Sequence, residues 1–188
     1  MTISKYTYGD NVSANPMNNV VDEYKGMNAV EVRELLKDKR KDFISIFQNV
    51  GHDLNIATAI RSNNAFCGKE VYIVGRKRFD ARGMCGVKHY EELYHADSFL
   101  EVFTKLKGEG YTVIAVDNIS SYNPKNVFDY IFSQKTAFVF GNESDGLDKD
   151  TIDMCDDMVY IPTSGSVRSL NVSTAASIVM SMYCFQHR

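Results

Sequence analysis

The sequence predicts an α/β fold, a mostly parallel sheet flanked by helices, on three observations. Short apolar runs alternate with amphipathic stretches along most of the chain; glycine or small polar residues follow each run; and stretches between them, such as IATAIRSNNAF and SFLEVFTKLKGEG, read as helices. Parallel neighbours need crossover helices, and strands covered on both faces read as continuous apolar runs.

In chain order, Asn28 followed by Glu31 has the spacing of a capping box, and Ala29, Val32, Leu35 and Leu36 give one apolar face, so a short helix is expected up to about Arg40. FISIFQNV from Phe43 is the first strand, GHDLN a break, and IATAIRSNNAF a helix. EVYIVG is a second strand, followed by the cationic loop RKRFDARGMCG. SFLEVFTKLKGEG is a helix closed by Gly108 or Gly110, and YTVIAVD a third strand. TAFVFG and MVYIP are two more, and LNVSTAASIVMSMYCF closes the chain as a largely buried helix. The polar stretch before Gly26, with Asn15-Pro16, has no sustained period and is assigned no element. The expected division is an N-terminal arm and short helix over 1–41, followed by one domain over 42–188.

Composition narrows the class. Of 188 residues, 44% are hydrophobic and 24% charged, as in soluble globular domains. The polar amino terminus and the serine-broken Ala175–Phe185 stretch predict no membrane span and a cytoplasmic protein. Cys67, Cys85, Cys155 and Cys184 form no Cys-x-x-Cys pair and are expected as buried free thiols; the four histidines lack metal-ligand spacing, so no metal is expected. A net charge of -3 excludes a uniformly basic nucleic-acid coat, which leaves local sites. Lys37, Lys39, Arg40 and Lys41 suit a helix C-terminus. The cations of the 76–88 loop, Arg76, Lys77, Arg78, Arg82 and Lys88, follow a strand and complement no helix dipole, which makes Arg76, Arg78 and Arg82 candidate RNA contacts.

Ligand sites of open parallel sheets lie beyond the strand carboxyl ends. Three such turns carry polar chemistry: Gly51–Asn55 with Arg61 beyond it, Gly141–Gly146, and Gly165–Asn171. A dinucleotide fingerprint, a phosphate-binding Gly-Lys-Ser/Thr and a Gly-x-Ser-x-Gly elbow are all missing, which disfavours a nucleotide-binding oxidoreductase and a serine hydrolase. Taken singly, Asn55, Ser169 and Asn171 read as helix caps, Arg61 as a solvated helix residue and Glu143 as a loop acid.

Taken together, Asn55-x5-Arg61, FGNESDGL at 140–147 and IPTSGSVRSLNVSTAA at 161–176 resemble the three motifs of the SpoU/TrmH family of RNA ribose methyltransferases, in family order and spacing. The resemblance spans about residues 43–185. It implies a C-terminal deep trefoil knot of the SPOUT type, a homodimer with the active site near the subunit interface, S-adenosylmethionine as methyl donor, and an RNA ribose 2'-hydroxyl as acceptor, with tRNA favoured over rRNA. It assigns Arg61 to the hydroxyl, with Asn55, Glu143, Ser169 and Asn171 holding the catalytic groups. It assigns Val116, Gly141, Gly146, Ile161 and Leu170 to the cofactor. One departure is Ala57, where the family usually has glycine; its methyl group is expected to tighten the approach of substrate. The rival from another class is a non-catalytic RNA-binding module that keeps the fold.

Overall fold

The computed structural model describes residues 3–8, 20–49, 54–142 and 146–188. Among these residues, eight strands form one sheet in the order β1-β4-β3-β2-β7-β5-β8-β6. They are β1 (Ser4–Lys5), β2 (Lys41–Asn49), β3 (Gly68–Gly75), β4 (Leu93–Ala96), β5 (Thr112–Val116), β6 (Lys125–Asn126), β7 (Thr136–Phe140) and β8 (Asp157–Tyr160). Every pairing of these strands is parallel except that of β1 with β4. The helices are α1 (Ala29–Lys37), α2 (Leu54–Ala65), α3 (Phe99–Gly108), α4 (Lys149–Met154) and α5 (Val172–Gln186).

Side chains alternate faces along a strand, and the two cores follow that period. Phe43 and Phe47 of β2 and Phe138 and Phe140 of β7 pack with Ile56 and Ile60 of α2 and Val179, Met180 and Tyr183 of α5. Ile44, Ile46, Ala137 and Val139, one residue out of phase, pack with Phe99, Val102 and Leu106 of α3 and Ile152 of α4. Helices α2 and α5 thus share one face, where Ser177 Oγ donates to Ser62 Oγ at 2.8 Å, and α3 and α4 share the other.

The expected capping box is formed: Asn28 Oδ1 accepts from the amides of Val30 and Glu31 at 2.9 and 3.0 Å, and Glu31 Oε2 accepts from the Asn28 amide at 2.7 Å. Two features were not legible. The stretch before Gly26 carries the two-residue β1 on the sheet edge, and β4 and β6 are too short to show a period. Ala57 also departs from expectation. It is fully buried in the core beneath α2, so its methyl group packs inward and does not narrow the approach of any substrate.

The basic cluster at the end of α1 is consumed structurally. Lys37 pairs with Glu34 at 2.6 Å, Lys39 with Glu23 at 2.8 Å, and Lys41 Nζ donates to the His187 carbonyl at 2.9 Å. Arg40 is buried against Glu91 at 3.3 Å and also donates to the carbonyls of Gly68 and Tyr90. Burial pushes the Glu91 carboxyl up from its ordinary range, against the opposing pull of Arg40. A carboxyl held more tightly protonated in the fold than in the unfolded chain favours folding below its ordinary pKa, and that contribution fades as pH rises through the folded value. Glu91→Gln should flatten this component of the pH profile. Glu91→Ala, which strands the Arg40 guanidinium, should cost about 3–5 kcal/mol in denaturant unfolding at neutral pH.

Candidate active site

Three parallel strands end side by side. Val116 of β5 is in register with Phe140 of β7 and with Val159 of β8, so the chain leaves the sheet at one level on three adjacent strands. Just beyond them lies a cleft of about 490 Å³, within the size range of ligand sites. Val116, Gly141, Gly146, Ile161 and Leu170, the five positions expected for the cofactor, all line it, and so do Ser169 and Asn171.

The glycines are there for space. A Cβ on Gly141 would lie 2.2 Å from the Gly146 carbonyl carbon and 2.5 Å from the Leu147 amide nitrogen, because the Gly146–Leu147 backbone passes directly against it. That turn is closed by the Gly146 amide donating to the Asn142 carbonyl at 3.0 Å. Gly146 has φ +70°, and a Cβ there would stand 2.7 Å from Asp117 Oδ2.

Asp117, which the motifs do not include, joins the turns. Its carboxylate accepts from the Leu147 amide at 3.0 Å and from the Asn118 amide at 2.7 Å. Asn118 Nδ2 in turn donates to the Arg168 carbonyl at 2.9 Å, tying the turn after β5 to the 161–171 segment. The available signal was an Asp-Asn pair directly following a strand, and it is shared by many loops.

Asn171 caps α5, its Oδ1 accepting from the Ser173 amide at 2.9 Å and from Ser173 Oγ at 2.6 Å, while the residue also lines the cleft. Capping and site roles therefore coincide. Asn55 is no cap: α2 begins at Leu54, which places Asn55 inside the first turn. Glu143 lies outside the described residues.

Arg61 is not among the residues lining this cleft. It is exposed on α2 and borders a second cavity of about 460 Å³, where Nη1 donates to Cys85 Sγ at 3.5 Å. The positions expected for the cofactor, Ser169 and Asn171 thus meet in one place, and Arg61 lines the other cavity.

Arg76, Arg78 and Arg82 are exposed on the loop after β3. Arg82 binds its neighbour Asp80 through Nε at 2.8 Å, and this pair pulls the Asp80 carboxyl down to about 2, so the two charges offset each other. The loop is fastened by the N-terminal strand. Tyr6 Oη donates to the Lys77 carbonyl at 2.6 Å, and the ammonium groups of Lys77 and Lys88 lie 5.8 and 5.5 Å from the ring centres of Tyr6 and Tyr8.

The thiols are all free, but none is fully buried as expected: Cys67, Cys155 and Cys184 are half-buried, and Cys85 is exposed in a left-handed turn at φ 47°. Burial pushes Cys155 up to about 12, as an inert structural thiol requires. Among the described residues no set of three or more His, Cys, Asp or Glu converges as metal ligands, and no helix is long and apolar enough to cross a membrane.

The sequence pattern of the SpoU rRNA methylase family matches residues 42–181. The chain belongs to this family. Among individual SpoU proteins, it is 26% identical over 153 residues to the tRNA (guanosine(18)-2'-O)-methyltransferase of Aquifex aeolicus, spanning 79% of this chain and 72% of that one. The fold superposes on the A. aeolicus TrmH/SpoU tRNA modifying enzyme with a TM-score of 0.74 at 24% identity, covering 85% and 82% of the two chains. It also superposes on the SpoU methyltransferase AviRb from Streptomyces viridochromogenes, solved in complex with AdoMet, with a TM-score of 0.70 at 26% identity, covering 79% and 59%. The family match begins at residue 42, so β1, α1 and the part of the second cavity wall formed by residues 20–39 lie outside it.

Proposed function

We propose that this chain transfers the methyl group of S-adenosylmethionine to a ribose 2'-hydroxyl of RNA, tRNA in preference to rRNA, as a homodimer whose active site is completed across the subunit interface. The observation that carries this reading is the single cleft in which the five expected cofactor positions and Ser169 and Asn171 converge at three strand ends.

The cleft suits the donor. Gly141 and Gly146 let the cleft wall close against its own backbone and Asp117, where any Cβ would collide, and Val116, Ile161 and Leu170 offer aliphatic surface to a flat heterocycle. When bound, S-adenosylmethionine supplies an electrophilic sulfonium methyl. The acceptor needs a hydroxyl held in line and help with a proton whose pKa lies far above neutral. Arg61 meets the second need. A guanidinium is a poor base, so its N–H groups act by donating to the 2'-oxygen as negative charge develops there. Asn171, fixed by its capping bonds, and Ser169 present polar groups at the mouth of the cleft. Glu143 is assigned to holding the 141–146 turn, and Asn55 to orienting Arg61 from the first turn of α2.

Arg61 borders a different cavity from this cleft, and this favours completion in trans, with the guanidinium of one subunit serving the cleft of its partner. The reading includes a trefoil knot in the segment after β7. Its test is single-molecule stretching from both ends: a knotted chain stops short of its full contour length, and full extension overturns the knot.

RNA reaches the site over the loop after β3. Arg76, Arg78 and Arg82 are assigned to phosphates, Arg82 being paired with Asp80 as well. A double Arg76→Ala, Arg78→Ala variant should bind RNA more weakly, with the slope of log affinity against log salt reduced by about 1 for each phosphate no longer neutralised. An unchanged slope places the RNA path elsewhere. The experiment on the whole reading is mass spectrometry of nucleosides from RNA of a deletion strain. One ribose-methylated position should be missing, in tRNA, and should return with the intact gene; no missing position overturns the function.

A further inference from the structure

The second cavity lies between the N-terminal segment and the flank of α2. Tyr24, Val32 and Leu36 supply an apolar wall from residues that precede the family match, and Arg61, Asn64 and Ala65 form the opposite wall. At about 460 Å³ it lies within the range of small-ligand pockets. The wall from the N-terminal segment is built firmly. Tyr24, Val32 and Leu36 are buried in a small core of their own with Tyr90, and Lys39 is held across the Tyr24 ring by its hydrogen bonds to Tyr24 Oη at 2.9 Å and to Glu23.

Arg61 is the link to chemistry. Its bond to Cys85 Sγ is long, and a thiol is a weak acceptor, so among the described residues that bond fixes the guanidinium only loosely. A ribose oxygen that is to meet Arg61 must come to this space. An unstacked nucleotide has the matching shape and polarity: a flat body for the apolar wall, and a polar sugar edge for the arginine at the other.

We propose that this second cavity is the acceptor-nucleotide pocket, taking an unstacked RNA nucleotide with its ribose at Arg61 and its base against the Tyr24–Leu36 wall. The proposal rests on the ribose-methylation reading and deepens it: the N-terminal segment, outside the family match, becomes the part of the chain that selects the nucleotide.

Cys85 is exposed and lines the pocket, so it reports occupancy without taking part in the reaction. The full chain is treated with N-ethylmaleimide, and labelling is followed at each cysteine by peptide mass spectrometry. Total RNA from a deletion strain should slow labelling at Cys85 several-fold and leave Cys155 unaffected, while S-adenosylhomocysteine alone should not change the Cys85 rate. Equal rates with and without saturating RNA overturn the pocket. Protection present without RNA and lost on dilution identifies a second copy of this chain as the occupant and also overturns it.

A second arm guards against RNA that merely covers Cys85. Ala65 is exposed on the cavity wall, and Ala65→Phe fills the space without entering the core. The variant should keep its melting temperature and its S-adenosylmethionine affinity and lose RNA methylation. Wild-type turnover by Ala65→Phe overturns the pocket even if Cys85 is protected. Failure of the underlying reading looks different: protected Cys85 in a wild-type protein that transfers no methyl group.

Discussion

Arg61→Ala should lower kcat/KM for RNA methylation by about 10²–10³-fold, the loss of about 2.7–4 kcal/mol that accompanies removal of one donor to a developing oxyanion. Its dissociation constant for S-adenosylmethionine should not change, because Arg61 does not line the cofactor cleft. Nor should its stability: an exposed arginine whose guanidinium bonds a thiol at 3.5 Å carries little of the fold. The measurement is steady-state methyl transfer beside calorimetric titration of the cofactor. Near-normal turnover removes Arg61 from the mechanism, and lost cofactor affinity moves its role to the other site.

Gly141→Ala should have the opposite profile. The added methyl would stand 2.2 Å from the backbone of Gly146, and backbone on both sides cannot yield as a flexible side chain does. Either Gly146 and Leu147 move, breaking the Asp117–Leu147 bond, or β7 is pushed from its register. Overpacking of this kind costs about 1–3 kcal/mol, and here it falls on the wall of the cleft. Cofactor affinity should drop by more than about tenfold, the equivalent of 1.4 kcal/mol, with a lowered melting temperature. Unchanged affinity would show that the turn is not part of the donor site.

Much of the fold was legible because its period is strong. Phe43, Ile44, Ile46 and Phe47, and the TAFVF run of β7, are buried on both faces and could be read as strands without knowing their partners. What could not be read was non-local. Strand β1 has two residues and exists through its pairing with His95 and Tyr94; Ser4 and Lys5 carry no period of their own. The five positions that the resemblance assigns to the cofactor line one cleft because parallel register brings the ends of β5, β7 and β8 to one level. Arg61 could be read as a motif residue, but its separation from the cleft is a matter of helix rotation and of the cavity it borders, which spacing does not encode. Asp117 escaped because a carboxylate after a strand looks ordinary until its two backbone partners are seen. Ala57 was misread for a related reason: the residue that replaces a family glycine was expected to face substrate, whereas α2 turns it into the core.

The two variants also make the most direct test of completion across the interface. Arg61→Ala subunits keep an intact cofactor cleft, and Gly141→Ala subunits keep an intact guanidinium. Mixed, dissociated and allowed to reassemble at equal amounts, and assayed at S-adenosylmethionine far below the Gly141→Ala dissociation constant, about half the dimers should be hybrids, each with one whole site, so methyl transfer should recover to about a quarter of the wild-type level under the same conditions. Recovery near that level is the predicted result; a mixture as inactive as its two components would place Arg61 and the cleft it serves in the same subunit and contradict the account.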